Sequence, residues 1–108
     1  MRSHQRIDER SLEIARAIVA RIDSDPSRSG LEKARGVCAR WSRMHDLPVL
    51  AEWRVILERG WPATRAILLD QSEQGARLRQ SSPFCGILQP RERWAIYRRF
   101  RDRDAGAA

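Results

Sequence analysis

The amino-acid sequence predicts an all-α protein, folded as a single compact bundle of about five to six short helices. Apolar residues recur with a helical period along nearly the whole chain, and proline, glycine and serine interrupt this pattern at short intervals. No sustained strand-like alternation and no Asn-Gly hairpin turn occurs in the sequence. With 108 residues, the chain is expected to form one domain over residues 1–103, followed by a frayed tail over residues 104–108.

The first helix is predicted from about Ile7 to Ile22. Isoleucines at 7- and 4-residue spacings, widened by Ala15 and Val19, form one apolar face, while the arginines and glutamates fall outside it. The segment from Asp23 to Pro26 ends the helix, because the residue before a proline is pushed away from helical dihedral angles.

The second helix is predicted to begin near Ser29. Ser29 and Glu32 have the S-x-x-E spacing of a capping box. Gly36 weakens the helix and would permit close contact with a neighbouring helix. The apolar stripe expected to be buried comprises Leu31, Ala34, Val37, Cys38, Trp41 and Met44.

Three shorter helices are predicted next. Asp46 is the expected N-cap of the third helix, and Gly60 is its expected left-handed C-terminal cap. Trp61-Pro62 begins the fourth helix, since proline is tolerated in a first turn. Ser72 is expected to cap a fifth helix that ends near Gln80.

The final helix is predicted from Pro90 to about Arg101. Ile96, Tyr97 and Phe100 lie together on a helical wheel and form the face expected to be buried. The large aromatic side chains expected in the core are Trp41, Trp53, Phe84 and Phe100.

Neither a metal site nor catalysis is predicted. Cys38 and Cys85 are expected to be buried, reduced thiols, because no secretion signal precedes them. Together with His4 and His45 they show no pairwise metal-ligand spacing, so no metal and no cofactor are expected. No catalytic motif occurs, so no catalytic residue is assigned and the chain is not expected to be an enzyme. No apolar run approaches the roughly 20 residues that span a bilayer, so a cytoplasmic protein without a membrane partner is expected.

A row of arginines with one tryptophan makes the final helix the first candidate binding surface. Its members lie within about 80° of one another on a helical wheel: Arg91, Trp94, Arg98 and Arg101. Arginines neutralise negative charge on a partner, and a tryptophan can anchor that partner. The alternative is an ordinary solvated basic face with Trp94 tucked partly into the core.

The segment from Gly75 to Phe84 is a second candidate, because it is dense in hydrogen-bond donors. These donors could contact phosphates or an acidic protein groove, and they are Arg77, Arg79, Gln80, Ser81 and Ser82. The alternative is local structural chemistry, in which the serines form a turn before Pro83 and Phe84 enters the core.

The stretch from Glu52 to Phe100 resembles a group of small all-helical bacterial proteins of similar length. In these proteins a Leu-Arg-Gln-Ser-Ser-Pro-Phe segment, here Leu78–Phe84, lies between a tryptophan-containing helix and a final Glu-Arg-Trp helix, here Glu92–Trp94. The resemblance covers about half the chain. It implies an antitoxin-like or small regulatory protein and no catalytic residues.

Charge and candidate surfaces together predict a small bacterial regulatory protein that acts by binding. The chain carries 21 cationic and 14 anionic side chains, and Lys33 is the one lysine among the cations. Another protein is the favoured partner, in an antitoxin-like or phage–host setting, and homodimer formation is a further option. The alternatives are a DNA- or RNA-binding transcriptional regulator and a small ribonuclease-like toxin.

The nucleic-acid alternative has two forms. In one, the arginine row of the final helix neutralises a nucleic-acid backbone while Trp94 anchors it. In the other, the fourth and fifth helices form a helix-turn-helix. Their lengths and short connection fit this motif. The glycine common in the inter-helix turn is absent, however, and Gly75 falls inside the fifth helix instead. The side chains expected to face a major groove are Glu73, Gln74, Arg77 and Gln80.

Overall fold

Six helices follow one another along the backbone of residues 2–107, the part of the chain that the computed structural model describes; side chains are described for residues 8–103. No strand occurs among these residues, which confirms the all-α bundle. The helices are α1 (Arg2–Asp23), α2 (Ser29–Met44), α3 (Pro48–Glu58), α4 (Trp61–Leu68), α5 (Glu73–Arg79) and α6 (Pro90–Ala107).

Helix α1 is the hub of the bundle, because α2, α4, α5 and α6 all pack against it. Its apolar stripe is buried as predicted, through Ala15, Ile18, Val19 and Ile22. Helix α1 begins at Arg2 rather than near Ile7. The predicted start was late because the first turns are polar and therefore carry no apolar period.

The start of α2 differs from the predicted capping box. Arg28 is the N-cap residue, in a left-handed conformation, and it makes no side-chain cap hydrogen bond. The carboxylate of Asp25 instead accepts hydrogen bonds from the backbone N–H and the hydroxyl of Ser29, at 3.0 and 2.7 Å. Glu32 pairs with Arg35 and not with the helix end. The hydrogen bonds from Ser29, together with those from Ser27, hold the pKa of Asp25 well below its ordinary range.

The caps of the shorter helices follow the sequence in part. Asp46 is not the N-cap of α3, since Leu47 occupies that position and Pro48 fills the first turn, where no N–H donor needs an acceptor. Gly60 has a positive φ of 98° but an extended ψ of −177°, so it is not a left-handed helical cap. The hydroxyl of Ser72 accepts a hydrogen bond from the N–H of Gly75, which confirms the predicted cap of α5.

Trp53 and Phe84 lie at the centre of the core, where neither is exposed to solvent. Their rings meet edge to face with centroids 6.1 Å apart, and the indole N–H of Trp53 donates to the carbonyl of Leu78 at 2.9 Å. Phe100 is buried as well. Trp41 is half-buried, so its assignment to the core is wrong. It lies near the end of α2, where the α2–α3 corner reaches solvent and Met44 is 67% exposed.

Close approach of the backbone occurs at a different glycine from the predicted one. A Cβ atom at Gly36 would meet nothing within 4 Å, so the expected close helix contact there is wrong. At Gly75 a Cβ atom would lie 2.1 Å from the carbonyl oxygen of Asp70. The absence of a side chain at Gly75 therefore lets α5 fold back against the turn that follows α4.

A second tryptophan, Trp61, also belongs to the core and joins α4 to the end of α1. Its indole N–H donates to the carboxylate of Asp23 at 2.8 Å, and Arg65 pairs with the same carboxylate at 3.0 Å. The hydrogen bond from Trp61 and the ion pair with Arg65 hold the pKa of Asp23 below its ordinary value. These contacts anchor α4 on α1, and neither was visible in the local sequence pattern.

The two cysteines have different environments. Cys38 is buried, which raises the pKa of its thiol, whereas Cys85 is exposed, so the expectation that both are buried is wrong for Cys85. Cys85 follows the buried Phe84 in the connection to α6, where the chain turns outward again. Both thiols are free.

Helix α6 extends to Ala107, beyond its predicted end near Arg101, so the backbone of residues 104–107 is helical. Alanine and arginine favour the helix in this segment. Ile96 and Phe100 are buried as predicted, while Tyr97 is half-buried. Among the described helices, none combines the length and the apolar character that a bilayer span requires.

Candidate partner-binding site

Helix α6 separates an apolar side, which packs on α1, from an exposed basic side. We call the exposed side the basic face and define it by Arg91, Trp94, Arg98 and Arg101, all of which are exposed. Trp94 has 61% of its surface open to solvent. Trp94 is therefore not tucked into the core, and that part of the alternative is wrong, while an ordinary solvated basic face stays an alternative. The four residues share one side of the helix and span about 15 Å along its axis.

The arginines of the basic face are not used in ion pairs within the described side chains. No carboxylate of residues 8–103 lies within ion-pair distance of them. The neighbouring carboxylate of Glu92 is turned away, because it pairs with Arg21 of α1 and accepts a hydrogen bond from the N–H of Gln89. Within the described side chains, the guanidinium groups of the basic face are therefore left without an ion-pair partner.

The indole of Trp94 is held in place by an aromatic neighbour. The rings of Trp94 and Tyr97 meet edge to face, with centroids 6.0 Å apart and an interplanar angle of 89°. The guanidinium of Arg10, from α1, lies 5.7 Å from the centre of the Tyr97 ring. Trp94 thus has an aromatic contact within α6, and the same Tyr97 ring faces Arg10 of α1.

Arg79 lies in the interior, so its predicted place on an exposed binding surface is wrong. Its side chain is 2% exposed. Its guanidinium donates to the hydroxyl of Ser11 at 3.1 Å, to the carbonyl of Leu68 at 3.3 Å, to the carbonyl of Asp70 and to the carboxylate of Asp8 at 2.7 Å. These bonds tie α5 to α1 and to the end of α4. The donors that made Arg79 a candidate are consumed by the fold.

Arg77 is exposed but engaged with α3. Its two terminal nitrogens donate to the two carboxylate oxygens of Glu52 at 2.8 and 2.9 Å, and these bonds hold the pKa of Glu52 below its ordinary value. The guanidinium of Arg77 is therefore engaged by α3, unlike the arginines of the basic face.

The remaining polar residues of the second candidate have mixed environments. Gln80 is exposed, whereas Ser81 and Ser82 are half-buried. The hydroxyl of Ser82 accepts a hydrogen bond from the N–H of Phe84 at 3.2 Å, which stabilises the turn that carries Phe84 into the core. These contacts favour the local structural interpretation for Ser82 and leave Gln80 accessible.

A cavity of about 240 Å³ lies between α1, the connection from α5 to α6, and α6 itself. Apolar and polar side chains both line it, and the lining includes Ile14, Ile18, Gln80, Phe84, Arg93 and Tyr97. Sequence reasoning missed this cavity. The one signal for it was the segment Leu78–Phe84, which supplies part of the wall.

No group of three or more metal-ligating side chains comes together in the part of the chain that the structure describes. Comparisons with known protein families, with curated proteins and with solved structures found no match to this chain. The resemblance to antitoxin-like bacterial proteins therefore stays a prediction.

Proposed function

We propose that this chain is a small binding protein whose basic face docks an acidic segment of another protein. The observation that carries the proposal is the exposed Trp94, set among arginines that have no carboxylate partner within residues 8–103. A regulatory role, of the antitoxin-like or phage–host kind that the resemblance implies, belongs to the same proposal.

The chemistry of the basic face suits a protein interface. Tryptophan and arginine are the residue types most enriched among those that dominate binding energy at such interfaces. The planar guanidinium offers paired donors to a carboxylate, so Arg98 and Arg101 can bind aspartate or glutamate with defined geometry. An exposed indole such as that of Trp94 gains apolar contact when a partner covers it.

Contacts on α5 argue against the helix-turn-helix form of nucleic-acid binding. The helix-turn-helix alternative needs the exposed side of α5 to bind phosphates or bases. Its arginine, Arg77, is already paired with Glu52, and Glu73 adds an exposed negative charge to the same helix. An anionic nucleic-acid backbone would meet a neutralised surface there.

The test is a titration of defined polyanions against matched charge variants. A fluorescent peptide of alternating Asp and Glu, a DNA duplex and a single-stranded RNA are each titrated into the wild-type protein. The same titrations are made with Arg98→Glu/Arg101→Glu and with Arg40→Glu/Arg43→Glu. The second pair is exposed on α2 and lowers the net charge by the same amount.

We expect the acidic peptide to lose at least about tenfold in affinity with Arg98→Glu/Arg101→Glu and less than about twofold with the α2 control. An equal loss in both double variants would mean that net charge alone drives binding, and the proposal would be wrong. Tighter binding of DNA or RNA than of the peptide, with a steep decrease as salt rises, would instead identify a nucleic-acid partner.

A further inference from the structure

We infer that the cavity beside Tyr97 receives one large apolar side chain of the acidic partner, and so decides which acidic segments bind. This inference rests on the proposed function and adds to it the identity of the segment. The partner would carry an aromatic or long aliphatic residue next to its carboxylates. The carboxylates would pair with the basic face while the apolar residue enters the cavity.

The size of the cavity suits a side chain rather than a cofactor. Its volume of about 240 Å³ is below the roughly 300–1,000 Å³ of sites that enclose small-molecule ligands. It exceeds the roughly 150 Å³ that suffices for a benzene molecule in an apolar cavity. Ile14, Ile18 and Phe84 give it apolar walls. A phenyl ring or a leucine side chain therefore fits in both volume and polarity.

The cavity and the basic face share a border at Tyr97. Tyr97 lines the cavity and also contacts Trp94. On the helical wheel of α6, Tyr97 lies about 40° from Arg101 and about 60° from Trp94. A ligand that covers Trp94 therefore reaches the mouth of the cavity without leaving the surface of α6.

Positive charge surrounds this mouth and indicates the chemistry of the occupant. Arg93 lines the cavity, and the guanidinium of Arg10 lies over the ring of Tyr97. Neither arginine is paired with a carboxylate among the described side chains of residues 8–103. An apolar side chain flanked by carboxylates is complementary to an apolar cavity flanked by guanidinium groups.

The wall of the cavity is preformed. Arg79 also lines the cavity, and its bonds to α1 and to the end of α4 fix the end of α5. The bond between Ser82 and the N–H of Phe84 fixes the turn that follows. A cavity that is already shaped needs little ordering when a side chain enters, so burial of that side chain appears directly in the affinity.

Cys85 provides the means to test the inference. It is exposed and lines the cavity, so a larger side chain there can block the entrance without disturbing the core. Two peptides of alternating Asp and Glu are compared, one with a central phenylalanine and one with alanine at that position. Each is titrated into the wild-type protein, Cys85→Phe and the matched control Cys85→Ser.

The phenylalanine peptide is expected to bind the wild-type protein and Cys85→Ser at least about tenfold more tightly than the alanine peptide. In Cys85→Phe the two peptides should agree within about twofold. The phenylalanine peptide should also slow the reaction of N-ethylmaleimide with Cys85. Because Cys38 is buried, the fast reaction is that of Cys85.

The outcomes separate this inference from the proposed function. If the peptides bind the wild-type protein equally, yet both lose affinity with Arg98→Glu/Arg101→Glu, the cavity inference is overturned and the proposed function stands. A phenylalanine gain that persists in Cys85→Phe also overturns the inference. A gain lost in Cys85→Phe supports the cavity; if Arg98→Glu/Arg101→Glu then changes neither affinity, the proposed function fails alone.

Discussion

Arg79 and the arginines of the basic face are the same type of residue in opposite environments, one buried and the others exposed. Arg79 is 2% exposed, and its donors meet oxygens of α1, the end of α4 and the turn beyond it. Arg98 and Arg101 are exposed, and no described carboxylate pairs with them. The contrast teaches that the number of arginines does not predict binding. What matters is whether the N–H donors of each guanidinium are already hydrogen-bonded within the fold.

The two environments have opposite consequences for stability. A buried guanidinium must be fully hydrogen-bonded, and removing it leaves buried oxygens without partners. An exposed arginine keeps its hydrating water, so its loss costs the fold little. Arg79 is therefore expected to serve the fold, while the basic face is free to serve a partner.

The strongest test of this contrast is Arg79→Met, which keeps much of the side-chain volume and removes every donor. We expect the free energy of unfolding to fall by about 2–4 kcal/mol, because the carbonyls of Leu68 and Asp70 lose their donor inside the fold. Urea denaturation followed by circular dichroism measures this. Arg77→Met is the control, since Arg77 is exposed on the same helix, and its midpoint should stay close to wild type. If the two variants have similar denaturation midpoints, Arg79 contributes no more to stability than the exposed Arg77.

The same contrast applies to tryptophans. Trp53→Phe retains an aromatic ring but loses the N–H that donates to the buried carbonyl of Leu78. Leaving that carbonyl unsatisfied should cost about 1–3 kcal/mol of unfolding free energy. Trp94→Phe should leave the free energy of unfolding unchanged within error and should lower the affinity for the acidic peptide. Both quantities come from paired melting and binding measurements, and a destabilised Trp94→Phe would assign Trp94 to the fold.

A smaller effect of opposite sign is expected at Gly36. Gly36→Ala adds a Cβ atom in open space inside α2 and should stabilise the fold by about 0.5–1 kcal/mol. Gly75→Ala is the counterpart, because its Cβ atom would collide with the carbonyl of Asp70 and must therefore destabilise. Thermal melts of the two variants should shift in opposite directions. Equal shifts would show that helix propensity alone governs both positions.

The smallest effect on folding is expected for Arg98→Glu/Arg101→Glu. Both side chains are exposed, so the free energy of unfolding should change by no more than about 0.5 kcal/mol. A melting curve recorded beside the peptide titration checks this value. Unfolding of the variant would show that these arginines stabilise the fold, as Arg79 is expected to do.

Much of the architecture could be predicted from periodicity and punctuation. The apolar stripe of α1, the start of α4 after Gly60, the cap at Ser72 and the buried Trp53 all follow from local patterns. These features depend on neighbours within one or two turns of helix. A periodic pattern states which side of a helix is apolar, and that side is usually the buried one.

Two of the errors have different physical origins. Trp41 continues the apolar stripe of α2, yet it stays partly exposed, and Met44 at the end of that stripe is 67% exposed. A helical wheel contains no information about how far the neighbouring elements reach. The error at the start of α2 is local: the carboxylate of Asp25 accepts the hydrogen bonds of Ser29 from within one turn, and this contact replaces the predicted capping box.

The sequence by itself determined the all-α class and the exposed row of arginines on α6, because helix periodicity and amphipathicity are local properties. Tertiary structure decided which arginine is buried, since the oxygens that receive the donors of Arg79 come from α1 and from the end of α4. It also created the cavity beside Tyr97, whose walls come from three separate parts of the chain. Such features depend on packing between elements, which no single stretch of sequence encodes.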